Sequence, residues 1–259
     1  MAALKRTGTQ LLQHRKVEID TGFHRLAEGS VLYRAEGTVV LATVSVDESV
    51  PKFLSGTGRG WLTADYQMHP RANPKRRERR DGRNEPLSGR AREIERLIGR
   101  SLRSAVDLDN LGERTLYVDC DVLEADGGTR TASVTAGWVA LALACDRLYA
   151  NGLLRGPVLR DQIAAISVGH VDGALALDLC YEEDSKARVD MNVVGTASGS
   201  VVEIQATAEG RAVPRKAIDE MTDLAFLGIQ SLCAHQRSAL QGAGVPLDRV
   251  LRPAAITQS

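Results

Sequence analysis

Residues 115–133 read TLYVDCDVLEADGGTRTAS. The run from Thr115 to Leu123 is strand-like, and from about Thr131 to Tyr149 the spacing predicts a helix. Val134, Trp138, Val139, Leu141, Leu143, Cys145 and Leu148 leave that helix almost no polar face, so it belongs between other elements. Between strand and helix, Gly127 and Gly128 let the backbone turn tightly and present its N–H groups. Thr129 and Thr131 add hydroxyls, and Arg130 adds a planar cationic fork. A helix N-terminus after such a turn is a ready site for an anion, phosphate above all. A tight connection capped by its own threonines would account for the glycines and threonines, but it leaves Arg130 unexplained.

On the N-terminal side, Lys16–Asp20, Ser30–Arg34 and Thr38–Val46 read as short strands separated by turn signals at Glu28-Gly29 and Glu36-Gly37. Residues 68–88 change character. Arg71, Lys75, Arg76, Arg77, Arg79, Arg80 and Arg83 are offset only by Glu78 and Asp81 between positions 71 and 83, which predicts an exposed basic loop. A helix follows from about Gly89 to Val106, with Ile94, Leu97, Ile98, Leu102 and Ala105 at helical spacing. Arg90 precedes Ile94 by four residues and Ile98 by eight, so it falls on the apolar stripe, where a cation needs an anionic partner.

On the C-terminal side, Ala164–His170, Ala174–Tyr181, Arg188–Val194 and Ser200–Ala206 read as strands, and about Pro214 to Arg237 as an amphipathic helix. Both halves place several strands before a long helix, which suggests an α+β chain with a duplicated β-then-α plan. One domain is expected over residues 1–240, with a loose tail over 241–259.

Composition narrows the function by exclusion. A chain of 259 residues, 43% apolar and 25% charged, is that of an ordinary globular protein. Its formal net charge is zero, so any polyanion must be held by a local patch. Residues 1–20 lack a continuous apolar core, and the run Val134–Cys145 is too short to span a bilayer; a cytoplasmic protein with no membrane contact is expected. Cys120, Cys145, Cys180 and Cys233 are scattered, without zinc-site spacing, and read as buried free thiols. The five histidines form no metal-spaced cluster or recognisable Ser-His-Asp set, which argues against a histidine-based hydrolase.

A second constellation is acidic. Glu182, Glu183 and Asp184 follow one strand, and Asp190 and Asn192 share a face of the next. A short turn could bring Asp184 near Asp190. Two carboxylates beside a phosphate site suit Mg²⁺, and a charged hairpin rim is the alternative. Asp119 and Asp121 form a competing pair, read here as structural carboxylates.

These motifs carry a resemblance. GWLTADYQMHPRA (60–72), SGRAREIERLIGR (88–100), DCDVLEADGGTRTAS (119–133) and DMNVVGT (190–196), together with AEGTVVLATVSV (35–46) and VVEIQATAEG (201–210), resemble the RNase PH family of phosphate-dependent 3′→5′ exoribonucleases over roughly residues 17–240. The resemblance implies a duplicated fold also seen in a small-ribosomal-subunit protein domain, and a homohexamer built as a trimer of dimers. It implies RNA substrates, tRNA precursors first and rRNA also, trimmed with inorganic phosphate as co-substrate. It assigns phosphate binding to Arg90, Gly128, Thr129 and Arg130. The catalytic, Mg²⁺-associated carboxylates would be Asp184 and Asp190. RNA would be held by the loop carrying Arg71, Arg76, Arg77, Arg79 and Arg80. Two departures stand out. Arg6-Thr7-Gly8-Thr9 replaces the family's Arg-x-Asp-Gly-Arg, and His69 stands where leucine is usual, ahead of a more basic loop. A non-catalytic RNA-binding ring subunit and a hydrolytic metal nuclease are the competing readings.

Overall fold

A computed structural model describes residue 6 and residues 8–74, 77–78 and 88–253. In chain order the elements are β1 (Val17–Thr21), β2 (Gly29–Ala35), β3 (Thr38–Asp47), β4 (Trp61–Met68), α1 (Gly89–Ala105), α2 (Leu108–Leu111), β5 (Thr115–Glu124) and α3 (Thr129–Ala150). The second half follows with β6 (Ile163–Val171), β7 (Ala174–Leu177), α4 (Tyr181–Asp184), β8 (Val189–Thr196), β9 (Val201–Ala208), α5 (Arg215–Gly242) and α6 (Leu247–Val250). The strands form two sheets, ordered β1-β2-β3-β5-β4 and β7-β6-β8-β9. Among the described strands only the β4–β5 pair is parallel, and α1 lies in the crossover that such a pair requires.

The long helices sit between the sheets. α3 packs on β2, β3 and β5 of the first sheet and on β6 and β8 of the second, which is why it carries no polar face. α1 covers β4, and α5 covers β6 and β8 with Met221, Leu224, Ala225, Ile229 and Leu232 buried. The α+β expectation, with strands followed by a long helix in each half, is therefore realised, and one continuous core joins the halves.

Several boundaries differ from expectation, each for a local reason. α3 begins at Thr129 rather than Thr131, because Gly128 at its N-cap takes the left-handed conformation (φ +63°) and helical geometry starts with the next residue. The strand expected to reach Tyr181 stops at Leu177; Asp178 then turns the chain at φ +55°, and Tyr181–Asp184 coils into a helical turn. β4 was not evident in the pattern, since its inward side chains Leu62, Ala64 and Tyr66 vary widely in size. Residues 243–253, expected to be loose, are packed. Val245 and Val250 are buried, Leu251 bridges to Leu159, and Arg252 pairs with Asp107. No helix among the described residues is long and apolar enough to cross a membrane.

Arg15 and Asp178 join the halves where α3 begins. Both are almost fully buried, at 3% and 6% exposure. Arg15 Nε donates to Asp178 Oδ2 (3.1 Å) and Nη2 to Oδ1 (2.7 Å), and the Arg15 backbone N–H also reaches Oδ2 (3.0 Å). The remaining guanidinium nitrogen donates to the Asp126 carbonyl (2.8 Å). Burial by itself would raise the Asp178 pKa, but the Arg15 charge and these hydrogen bonds hold it below the ordinary carboxylate range. The sign follows: the ionised pair stabilises the fold above the unfolded aspartate pKa, and this contribution is lost as pH falls through the lower folded value. Asp178→Asn, which strands a buried guanidinium, should cost about 3–5 kcal/mol in urea unfolding at neutral pH. The cost should shrink as both proteins are taken into acid.

Candidate active site

β5 delivers the chain to the turn Ala125-Asp126-Gly127-Gly128, and the surroundings allow only glycine at its centre. Gly127 has φ +77°, and a Cβ there would lie 2.4 Å from the Leu179 carbonyl oxygen. Gly128, also left-handed, faces the Arg15 guanidinium. Thr38 Oγ1 accepts from the Asp126 N–H (3.0 Å) and donates to the Gly127 carbonyl (2.7 Å), fixing the turn from β3. Asp126 Oδ1 in turn accepts from the Tyr181 N–H (3.1 Å), which ties α4 to the same turn.

α3 then starts without a side-chain cap. Its first N–H groups and the positive end of its dipole are open to a ligand. Thr129 is buried, and its hydroxyl hydrogen-bonds the Tyr66 phenol at 2.9 Å. Burial raises the Tyr66 pKa, so the phenol stays neutral and holds Thr129 in place. Thr131 is turned inward instead, donating to the Gly128 carbonyl (2.9 Å).

This helix start forms one wall of a cleft of about 610 Å³. The cleft brings together Arg90, Gly128, Thr129, Arg130, Asp184 and Asp190, all six residues expected at the phosphate and metal positions. Arg90 is exposed rather than embedded in the apolar stripe of α1. It occupies the helix's second residue, a full turn before the first isoleucine of the stripe, and it stands at the rim of the cleft. Its charge, with that of Arg130, lowers the pKa of both cleft aspartates; burial outweighs this and leaves both raised, Asp190 further pushed up by repulsion from Asp184. The Asn192 side chain hydrogen-bonds Asp190 from the same strand face.

Arg77 also lines this cleft, while Arg71 lines a neighbouring groove with Arg6 and Lys186. Arg76, Arg79 and Arg80 lie outside the described residues. Asp119 and Asp121 are not in the cleft lining. Asp119 lies beside Asp65 of β4 in register, and burial plus repulsion from Asp65 and Asp121 raises its pKa. Burial pushes the Cys145 and Cys233 thiols up to about 12, and Cys120 is raised too, so none of these is a nucleophilic thiolate at neutral pH. Among the described residues, no group of three or more His, Cys, Asp or Glu side chains could hold a metal by itself.

Pattern reading missed the residues that hold the site together. Arg6, part of the divergent N-terminal motif, is spent on the protein itself. It pairs with Glu183 of α4 and donates to the Leu177 (3.0 Å) and Asp178 (3.1 Å) carbonyls. Tyr66 touches Thr129, and Glu93 and Gln205 touch Arg130, each from a distant element.

Comparison with known proteins identifies the family of the chain. Residues 13–145 match the model described as 3′ exoribonuclease family, domain 1, and residues 161–227 match domain 2 of that family. Ribonuclease PH of Solibacter usitatus is 52% identical over 237 residues, covering 92% of this chain and 98% of the relative. Ribonuclease PH of Moorella thermoacetica is 51% identical, covering 92% and 94%. Among solved structures, rice Rrp46 superposes with a TM-score of 0.71 at 17% identity, over 89% of this chain and 97% of that one. The Archaeoglobus fulgidus exosome with RNA bound to the active site gives 0.69 at 23% identity, over 86% and 88%. These two likenesses concern the fold alone.

The turn generates its own test. Gly127→Ala, strained at positive φ and driven into backbone, should lower stability by about 1–3 kcal/mol. Gly89→Ala has nothing within 4 Å of the new methyl and should be neutral or slightly stabilising. Parallel urea titrations of the two variants make the comparison.

Proposed function

The chain belongs to the 3′ exoribonuclease family and is a phosphate-dependent 3′→5′ exoribonuclease acting on RNA, and on that premise we propose how its cleft performs the reaction. The observation that carries the reading is the convergence in one cleft of the uncapped α3 N-terminus, Arg130 and Arg90 with the carboxylates of Asp184 and Asp190.

Inorganic phosphate sits at the start of α3, held by backbone N–H groups near Gly128, the Thr129 hydroxyl, and the guanidinium groups of Arg130 and Arg90. One of its oxygens attacks the phosphorus of the last phosphodiester in line. The bond from that phosphorus to the 3′ oxygen of the preceding nucleotide breaks, and this oxygen takes up a proton to become the new 3′ end. The terminal nucleotide departs as its 5′-diphosphate. The two arginines bring two anions together and hold the nucleophile in position, so the protein needs no covalent nucleophile.

Asp184 and Asp190 fit a hard divalent ion, since Mg²⁺ is suited by one or two carboxylates plus substrate oxygens. When bound, Mg²⁺ would offset the negative charge of the transferring phosphoryl group. Arg71, Arg76, Arg77, Arg79 and Arg80 grip the RNA backbone near its 3′ end. The substrates are tRNA precursors and rRNA in the cytoplasm. The enzyme works as a homohexamer, a trimer of dimers, whose contacts would cover exposed apolar side chains such as Phe23, Leu26, Phe53 and Leu227. A non-catalytic ring subunit is disfavoured by the half-identical ribonuclease PH relatives.

Incubating the protein with a labelled RNA should give nucleoside diphosphates only when phosphate is present. Monophosphates formed without phosphate would instead make it a hydrolase. Arg130→Ala should reduce phosphorolysis by about 10²–10³-fold. Asp190→Asn should also abolish turnover, yet phosphate should still protect it against thermal unfolding, because the anion's own ligands are intact.

A further inference from the structure

Arg130 has two neighbours of opposite character. Its Nη1 donates to Gln205 Oε1 at 3.0 Å and lies 3.4 Å from Glu93 Oε1. Both contacts use the same nitrogen, so Nη2 and Nε carry no hydrogen bond among the described residues. A guanidinium edge anchored at one corner, with the rest of its fork open, is prepared for bidentate binding of an oxyanion.

Gln205 itself is fixed. Its Nε2 donates to Glu203 Oε1 (3.0 Å), and Glu203 is clasped by Arg100 of α1 through Nη2 (2.8 and 3.0 Å) and Nε (3.3 Å). That bond to a carboxylate decides which end of the amide is NH₂, so the carbonyl oxygen is the end facing Arg130. Register completes the placement: Gln205 lies directly opposite Asn192, which bonds Asp190 on the same face of β8. Because its amide is neutral, Gln205 orients Arg130 without cancelling the charge that phosphate needs. Glu93 does the reverse. It is an exposed carboxylate beside the same nitrogen, and its charge competes with an incoming anion.

We infer that Gln205 is a positioning residue for Arg130 and that Glu93 is an intramolecular competitor of the phosphate substrate. The inference rests on Arg130 being a phosphate ligand, as proposed above. The two neighbours therefore act on phosphate affinity with opposite signs, which a merely structural role would not produce.

The test is the Michaelis constant for phosphate, measured at saturating RNA in the full-length protein, alongside that for RNA at saturating phosphate. Gln205→Ala should raise the phosphate constant about tenfold, the value of one hydrogen bond to a charged group, and leave the RNA constant unchanged. Gln205→Glu places a full negative charge on Arg130 and should raise it at least as much. Glu93→Gln should lower it about two- to threefold, as befits an exposed pair. If Arg130→Ala raises the phosphate constant but neither Gln205 variant does, the positioning role is wrong while the phosphate site stands. A Glu93→Gln variant with unchanged or weaker phosphate affinity overturns the competitor role. If Arg130→Ala leaves the constant unchanged, the phosphate site itself has been misplaced.

Discussion

The buried contact between Arg15 and Asp178 constrains everything around the cleft. Arg15 precedes the first strand, and Asp178 follows the seventh. Their fork-to-carboxylate geometry also takes in the Asp126 carbonyl of the glycine turn. One guanidinium thus fixes three segments: the N-terminal approach, the start of α3, and the chain entering α4. The first half supplies the cleft's arginines and the start of α3, the second supplies its carboxylates, and their separation depends on this junction. A buried ion pair is a weak source of net stability, but removing either partner is costly because the other charge is left without water or counter-charge. That asymmetry suits a part whose task is to hold geometry.

Around this junction the cleft sets opposite charges against each other. Arg130 and Arg90 draw down the pKa values of Asp184 and Asp190, while burial pushes both up and wins, helped at Asp190 by repulsion from Asp184. Rigid packing maintains the arrangement: Tyr66 pins Thr129 from below, the Asp126 carboxylate accepts from the backbone of Tyr181, and Arg6 clasps Glu183.

Local sequence made much of this readable. Helical spacing of Ile94, Leu97, Ile98 and Leu102 located α1 to within a residue, and alternation placed Asp190 and Asn192 on one face of β8. The local backbone behaved as expected as well, since paired glycines before an apolar helix do produce a left-handed turn and a helix start without a side-chain cap. Reading failed where a residue's environment depends on distant chain. Arg90 appeared to lie on a buried stripe, but helix periodicity cannot say where the covering sheet ends. The residues after Gly242 looked loose because their anchors, Leu159 and Asp107, are far away in sequence.

What the sequence by itself determined was the several strands and the long helix of each half, the turn at Gly127-Gly128, and the residue types able to bind phosphate and a hard cation. These follow from periodicity and backbone freedom, which are properties of neighbouring residues. The tertiary structure alone decided that Arg15 would be buried against Asp178, that Arg6 would serve the protein's interior contacts, and that Gln205 and Glu93 would meet at Arg130. Those pairings join residues 37 to 177 positions apart. They exist because two sheets close over one helical layer, and burial then forces each polar group to find whichever partner the closure has brought within reach.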